Sequence, residues 1–220
     1  MDFTQILGFL SRLNKNNDRT WFEKNKAAYL KAKENFDAFV AKFLEELIAF
    51  NPELQGLDPR KLTFRIYRDV RFSKDKRPYK TNMGAGVSPN GKMMQEAGYY
   101  LHIEPGNKSF IAGGMYMPDA GNLAKIRQEI DYNGDKLRKI LADRTFKKWF
   151  DGLDEFDKLK TVPKGFAKDH PSIELLKNKS FIVTHPLTDV EVKDKKLLKT
   201  VTAACKAMKP LNNFLQEAIA

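Results

Sequence analysis

Three arginines fall within seven residues, at positions 65, 68 and 71, and two aspartates, Asp69 and Asp75, sit among and just after them. Around them, residues 61–80 carry eight Lys or Arg against those two acids, a local balance of +6 in a chain of net charge +11. Guanidinium groups are planar, permanently charged and shaped to grip carboxylate or phosphate. Two like charges about 4 Å apart repel by roughly 1 kcal/mol in water and several-fold more at a protein surface. Such a cluster needs compensation from acids, water or an anion. Arg65, Arg68, Arg71, Lys74, Lys76 and Lys80 are therefore candidate anion-binding residues. Tyr79 is a candidate to stack on a ring or donate its hydroxyl, and Asp69 and Asp75 would orient the arginines. The competing expectation is structural: the two aspartates absorb the charge in an ion-pair network with no ligand.

A second candidate is His102. On a strand it shares a face with Glu104, two residues on, and a His–Glu pair can act as a general base. Asp69 is the other candidate base. The plainer reading of His102 is a half-buried histidine on a sheet face. His170 and His185 both precede proline, which places them in loops or at strand ends. With three histidines and one cysteine, no transition-metal spacing occurs and no metal site is expected. Cys205 falls on an apolar helical face and reads as core. Phosphate-loop, dinucleotide, nucleophile-elbow and zinc-hydrolase motifs are all missing, and the sequence leaves the cofactor unknown.

These residues need elements to hold them. Phe3, Ile6, Leu7, Leu10 and Leu13 recur at helical spacing. Thr20 with Glu23 fits a capping box for a second helix, and an apolar stripe from Phe36 to Ile48 continues to a stop near Asn51-Pro52. The period then changes. Over Lys61–Phe72 alternation predicts a strand, with Leu62, Phe64, Ile66, Val70 and Phe72 on a core face that Arg68 interrupts. A bulge near Arg68 would return it to the polar face with Arg65, Asp69 and Arg71. "SPNGK" is a turn signal. "GYYLHIEP" and "KSFIAGGMYMP" predict a hairpin, with Gly113-Gly114 marking a bulge or a close backbone approach. Helical spacing returns over Leu123–Leu141, then a short helix over 172–177, a strand at "SFIVTHPL" and a last helical face from Leu197 to Met208. Pro210 is expected to open a final turn. The order predicts an α+β fold: a single domain over residues 1–220, with an antiparallel sheet flanked by N-terminal and C-terminal helices.

The block "RIYRDVRFSKDKRPYKT" resembles the signature of a family of uncharacterised bacterial and fungal proteins, domain of unknown function twenty-four sixty-one. Arg65, Arg68, Asp69, Arg71, Phe72, Lys76 and Tyr79 carry the likeness. "NNDRTWFEKNKAAY", "IAGGMYMP" and "KPLNNFL" extend it over nearly the whole chain. Membership implies one domain and no particular activity.

No secretory signal opens the chain and no apolar run approaches the roughly 20 residues that span a bilayer. A cytoplasmic protein without a membrane partner is expected. The basic balance favours an anionic partner. Three functions follow: recognition or processing of a phosphorylated small molecule or nucleotide, nucleic-acid binding on a basic aromatic face, or a scaffold whose arginine–aspartate network is purely structural.

Overall fold

The computed structural model describes residues 2–92 and 95–220. Helix α1 (Phe3–Lys15) is capped by Asp2, whose carboxylate accepts the Gln5 N–H at 3.1 Å. The expected apolar face is buried: Phe3, Ile6, Leu7, Leu10 and Leu13. Helix α2 (Arg19–Lys24) begins two residues earlier than the Thr20–Glu23 pair predicts. Asp18 is the cap and accepts the Trp21 N–H at 2.9 Å, because a carboxylate one residue before the helix reaches its free N–H groups directly. Helix α3 (Lys26–Ile48) buries Phe36, Phe39, Val40, Phe43, Leu44 and Leu47. Two short turns, Pro52–Leu54 and Pro59–Lys61, lead onward.

Strands β1 (Met83–Val87), β2 (Gly98–Ile103), β3 (Ser109–Met115) and β4 (Phe181–Leu187) form one antiparallel sheet in the order β1-β2-β3-β4. Between β3 and β4 lie α4 (Ala120–Ala142), α5 (Arg144–Lys147) and α6 (Ile173–Leu176), and after β4 come α7 (Asp189–Lys193) and α8 (Leu197–Ile219). The fold is α+β, as the order of periodicities predicts.

By compactness the chain divides into two units, the first made of Met1–Lys92, Tyr100–Ile111 and Pro186–Thr202, the second of Met93–Tyr99, Ala112–His185 and Ala203–Ala220. In the first, an aromatic cluster fills the space between the N-terminal helices and the basic segment. Phe22 stacks on Tyr79 with centroids 3.9 Å apart and planes at 13°, and Phe9 packs on both Phe22 and Tyr29. Asn17 pins this contact. Its side-chain amide donates to the Tyr79 carbonyl at 3.0 Å and accepts the Tyr79 N–H at 3.1 Å, so one side chain satisfies both main-chain groups of Tyr79. Asn17→Ala leaves both main-chain groups of a buried residue unpaired and is expected to cost about 1–2 kcal/mol, read as a lower denaturation midpoint at unchanged slope.

In the second unit, glycines let main chains approach. A Cβ on Gly114, whose φ is +109°, would lie 2.0 Å from the Phe181 carbonyl oxygen, and one on Gly113 would meet the Met208 sulfur at 2.0 Å. The close approach expected from the glycine pair is thus its role. Helix α8 runs through Pro210 rather than restarting there. The proline removes one hydrogen bond, and burial of Ala207, Met208, Leu211, Phe214 and Leu215 on both sides of it holds the helix together.

The strand expected over 61–72 does not form. The segment is tied by isolated bridges, Thr63 to Ala85 and Tyr67 to Tyr79. Between those bridges four steps of chain on one side face six on the other, so a continuous ladder is impossible and the longer side bulges. Leu62 and Ile66 are buried as alternation requires, whereas Phe64 is 38 % exposed and Phe72 is 95 % exposed.

Candidate functional site

The bulge determines where the basic side chains go. Lys80 donates its main-chain N–H to Ile66 at 2.7 Å, and Phe64 donates its own to Gly84 at 2.9 Å. Past these ties the Phe64 ring carries two ammonium groups, Lys80 at 5.5 Å and Lys92 at 5.4 Å from its centroid. Arg65, next along the chain, is exposed. The pKa of Lys80 is depressed, first by burial and then by the positive charges of Arg65 and Lys92. Among the described residues no carboxylate lies within ion-pair distance of Arg65, Lys80 or Lys92. Lys80 thus sits among like charges, and the nearest acid that Arg65 acts on, Asp69, is beyond ion-pair distance and paired with Arg71.

The other predicted cations are differently placed. Arg68 donates to Asp75 at 2.5 Å and Arg77 donates to the same carboxylate at 2.7 Å. Arg71 makes a two-pronged contact with Asp69, at 3.0 and 2.6 Å. Asp69 and Asp75 are accordingly held below the usual carboxylate range, chiefly by hydrogen bonds from Arg71 and from Arg77 and Arg68. Lys76 donates to the Val70 carbonyl at 3.1 Å, and Lys74 is exposed. Tyr79 is 3 % exposed and belongs to the Phe22 stack, where burial raises its hydroxyl pKa. The three arginines named from sequence are therefore not gathered around one hollow. Arg68 and Arg71 face their own aspartates, and Arg65 stands with Lys80 and Lys92.

Beneath Phe64 lies a polar line on one face of β2. Tyr100 packs edge-on against Phe64 with centroids 5.9 Å apart. Its hydroxyl donates to His102 Nδ1 at 3.1 Å, and His102 Nε2–H donates to Glu104 Oε2 at 2.9 Å. Thr81 Oγ1 donates to the other oxygen of Glu104 at 3.2 Å. Alternation along the strand brings the three side chains to one face, and Phe110 of β3 stacks on His102 at 4.6 Å and 10°. Gly84 of β1 makes room: a Cβ there would sit 2.7 Å from the Tyr100 hydroxyl.

Burial sets the protonation of this line. The Tyr100 hydroxyl is pushed up to about 12 by desolvation and by the Glu104 charge. His102 is depressed below its ordinary 6.5, because burial outweighs the pull of Glu104, and Lys80 adds to the depression. A neutral His102 with its proton on Nε2 leaves Nδ1 free to accept the Tyr100 hydrogen bond. As pH falls through 6.5 the unfolded chain takes up the histidine proton before the folded one does. The contribution of His102 is therefore complete above about pH 6.5 and is lost as pH falls toward its lower folded pKa. His102→Gln is expected to flatten the stability profile between about pH 5 and 7, measured by denaturant titration across that range.

The His102–Glu104 pair was legible from strand alternation. Tyr100, Thr81, Phe110 and Lys92 were not. Tyr100 follows the same period and could have been found by extending it two residues back. Lys92 and Thr81 reach the site only through the turn after β1 and through the bulge, which no local pattern encodes.

No curated protein and no solved structure matches the chain. The model of the family described as Conserved hypothetical protein (DUF2461) matches residues 5–214. That span takes in all four strands, every residue of the site just described and all but the outer ends of the first and last helices, and the chain belongs to this family.

Proposed function

We propose that the Phe64 face binds the anionic group of a phosphorylated small molecule or nucleotide. The observation that carries this is the set of three cations without a direct ion pair, Arg65, Lys80 and Lys92, with two of them over a single aromatic ring. Holding like charges together costs free energy that a bound anion returns. Arg65 supplies a donor fork, and the two lysines supply mobile point charges. Below them, the Tyr100 hydroxyl, neutral His102 and Glu104 form one hydrogen-bonded line, with Glu104 orienting the imidazole. Titration calorimetry with inorganic pyrophosphate is the test. Saturable heat that weakens with salt supports the reading; no heat at millimolar pyrophosphate overturns it.

A nucleic-acid reading is favoured by a different observation, the 95 % exposed Phe72 with Arg71, Lys74 and Lys76 beside it. A basic loop with an exposed ring can track a backbone and stack on a base. Affinity for an oligonucleotide would then fall by about 0.7–0.9 log units per log unit of salt for each phosphate contacted. It would also depend on Phe72, which the Phe64 site does not use.

A further inference from the structure

Lys80 starts from a fixed point on the Phe64 face. Its main-chain N–H donates to the Ile66 carbonyl at 2.7 Å. The residue before it, Tyr79, is buried and held at both main-chain groups by Asn17. From that anchor the Lys80 side chain reaches out until its ammonium lies 5.5 Å from the centre of the Phe64 ring. Lys80 is half-buried, so its side chain is shielded but still open to solvent.

These surroundings suit a lysine that reacts rather than one that only attracts. An ammonium has no lone pair, and only the free amine attacks carbon. A carboxylate partner would keep the proton on, whereas burial and cationic neighbours loosen it. Burial, then Arg65 and Lys92, lower the Lys80 pKa, and the Lys80 charge in turn reaches His102 beneath. The Phe64 ring attracts both ammonium groups and so holds them in place, but it carries no net charge to keep their protons on. Arg65 cannot compete as a nucleophile, because its guanidinium stays protonated.

We propose that Lys80 forms an imine with an aldehyde or ketone that carries a phosphate, while Arg65 and Lys92 hold that phosphate. This rests on the anion-binding reading of the same face and gives the bound molecule a chemical class. The neutral Lys80 nitrogen bonds to the carbonyl carbon, and the π pair moves to oxygen, which takes a proton to give the carbinolamine. That oxygen then leaves as water, the second nitrogen proton is released, and the C=N bond forms. Both N–H hydrogens and the carbonyl oxygen depart together as one water, so the step needs no oxidant, reductant or further reactant.

The test treats the full chain at neutral pH with glycolaldehyde phosphate, with glycolaldehyde at the same concentration, and with glycolaldehyde phosphate plus excess pyrophosphate. Cyanoborohydride reduces any imine to a stable amine, and peptide mapping by mass spectrometry locates it. The expected result is a dominant adduct at Lys80, at least tenfold above that from glycolaldehyde and lost when pyrophosphate is present. An adduct spread evenly over surface lysines, an adduct at Lys92 with none at Lys80, or equal yields from the two aldehydes overturns the proposal. Pyrophosphate calorimetry on the same sample separates the two readings. Heat without a Lys80 adduct overturns the imine and keeps the anion site; absence of both overturns the two together.

Discussion

Gly114→Ala is expected to lower stability by about 3 kcal/mol or more. Two costs combine. The residue has a φ of +109°, where an L side chain is strained by about 1–3 kcal/mol. The new Cβ would also lie 2.0 Å from the Phe181 carbonyl oxygen and 2.9 Å from the Ile182 Cα. Both obstacles are main chain of β4, so relief requires moving a strand rather than rotating a side chain. Gly113→Ala is the informative neighbour. Its closest obstacle is the end of a methionine side chain, Met208 Sδ at 2.0 Å, which is flexible and can swing aside. It is expected to cost about 1 kcal/mol. Gly8→Ala in α1, with nothing within 4 Å of the new methyl, is expected to be neutral or stabilising by up to about 1 kcal/mol. Denaturant midpoints of the three variants give the ranking, and equal losses at positions 113 and 114 would contradict the backbone argument.

Lys80→Met is expected to separate binding from stability. The ammonium is held beside Arg65 and Lys92 with its pKa depressed, so the free protein loses no favourable ion pair when it is removed. Methionine keeps the aliphatic stem, and loss of the contact with Phe64 opposes relief of the repulsion. Stability should therefore stay within about 0.5 kcal/mol of the parent. Pyrophosphate affinity should fall at least tenfold. A residue whose role is only structural would give the reverse pattern. Lys80 is depressed first by burial and then by its cationic neighbours; a bound anion offsets the second cause, so binding draws its pKa up and takes up protons at alkaline pH. Heats measured in buffers of different ionisation enthalpy report that uptake, and Lys80→Met should abolish it. The pairs in the neighbouring loop provide the contrast: Asp69→Asn should leave pyrophosphate binding unchanged, because Arg71 is the residue it orients.

The parts of this fold that sequence reveals are those governed by one period at a time. The stripes of α1 and α3, the β2–β3 hairpin and the long face of α8 each follow a single rule along the chain, and each was legible. The segment 61–82 was not, because its pairing depends on unequal lengths between two bridges and on a side chain, Asn17, sixty-two residues away from Tyr79. The site followed the same division. His102 and Glu104 were paired by alternation. The composition of the basic segment pointed to the right twenty residues, but charge counts could not tell Arg68 and Arg71, which pair with aspartates seven and two residues away, from Arg65 and Lys80, which pair with none. Lys92 lay beyond the charged run altogether and reaches Phe64 from the far side of β1 in sequence. Tyr79 illustrates the opposite error of pattern. A tyrosine within a basic block reads as a ligand contact, yet its ring is core and its main chain is what the neighbouring asparagine uses.

Diffraction from crystals soaked in tungstate, an oxyanion with strong anomalous scattering, puts the central claim to its most direct trial. One dominant anomalous peak is expected within hydrogen-bonding reach of Lys80 and Lys92 and beside Arg65, lost in Lys80→Met crystals. A peak confined to the Arg71–Lys76 loop, with none at Phe64, would contradict it.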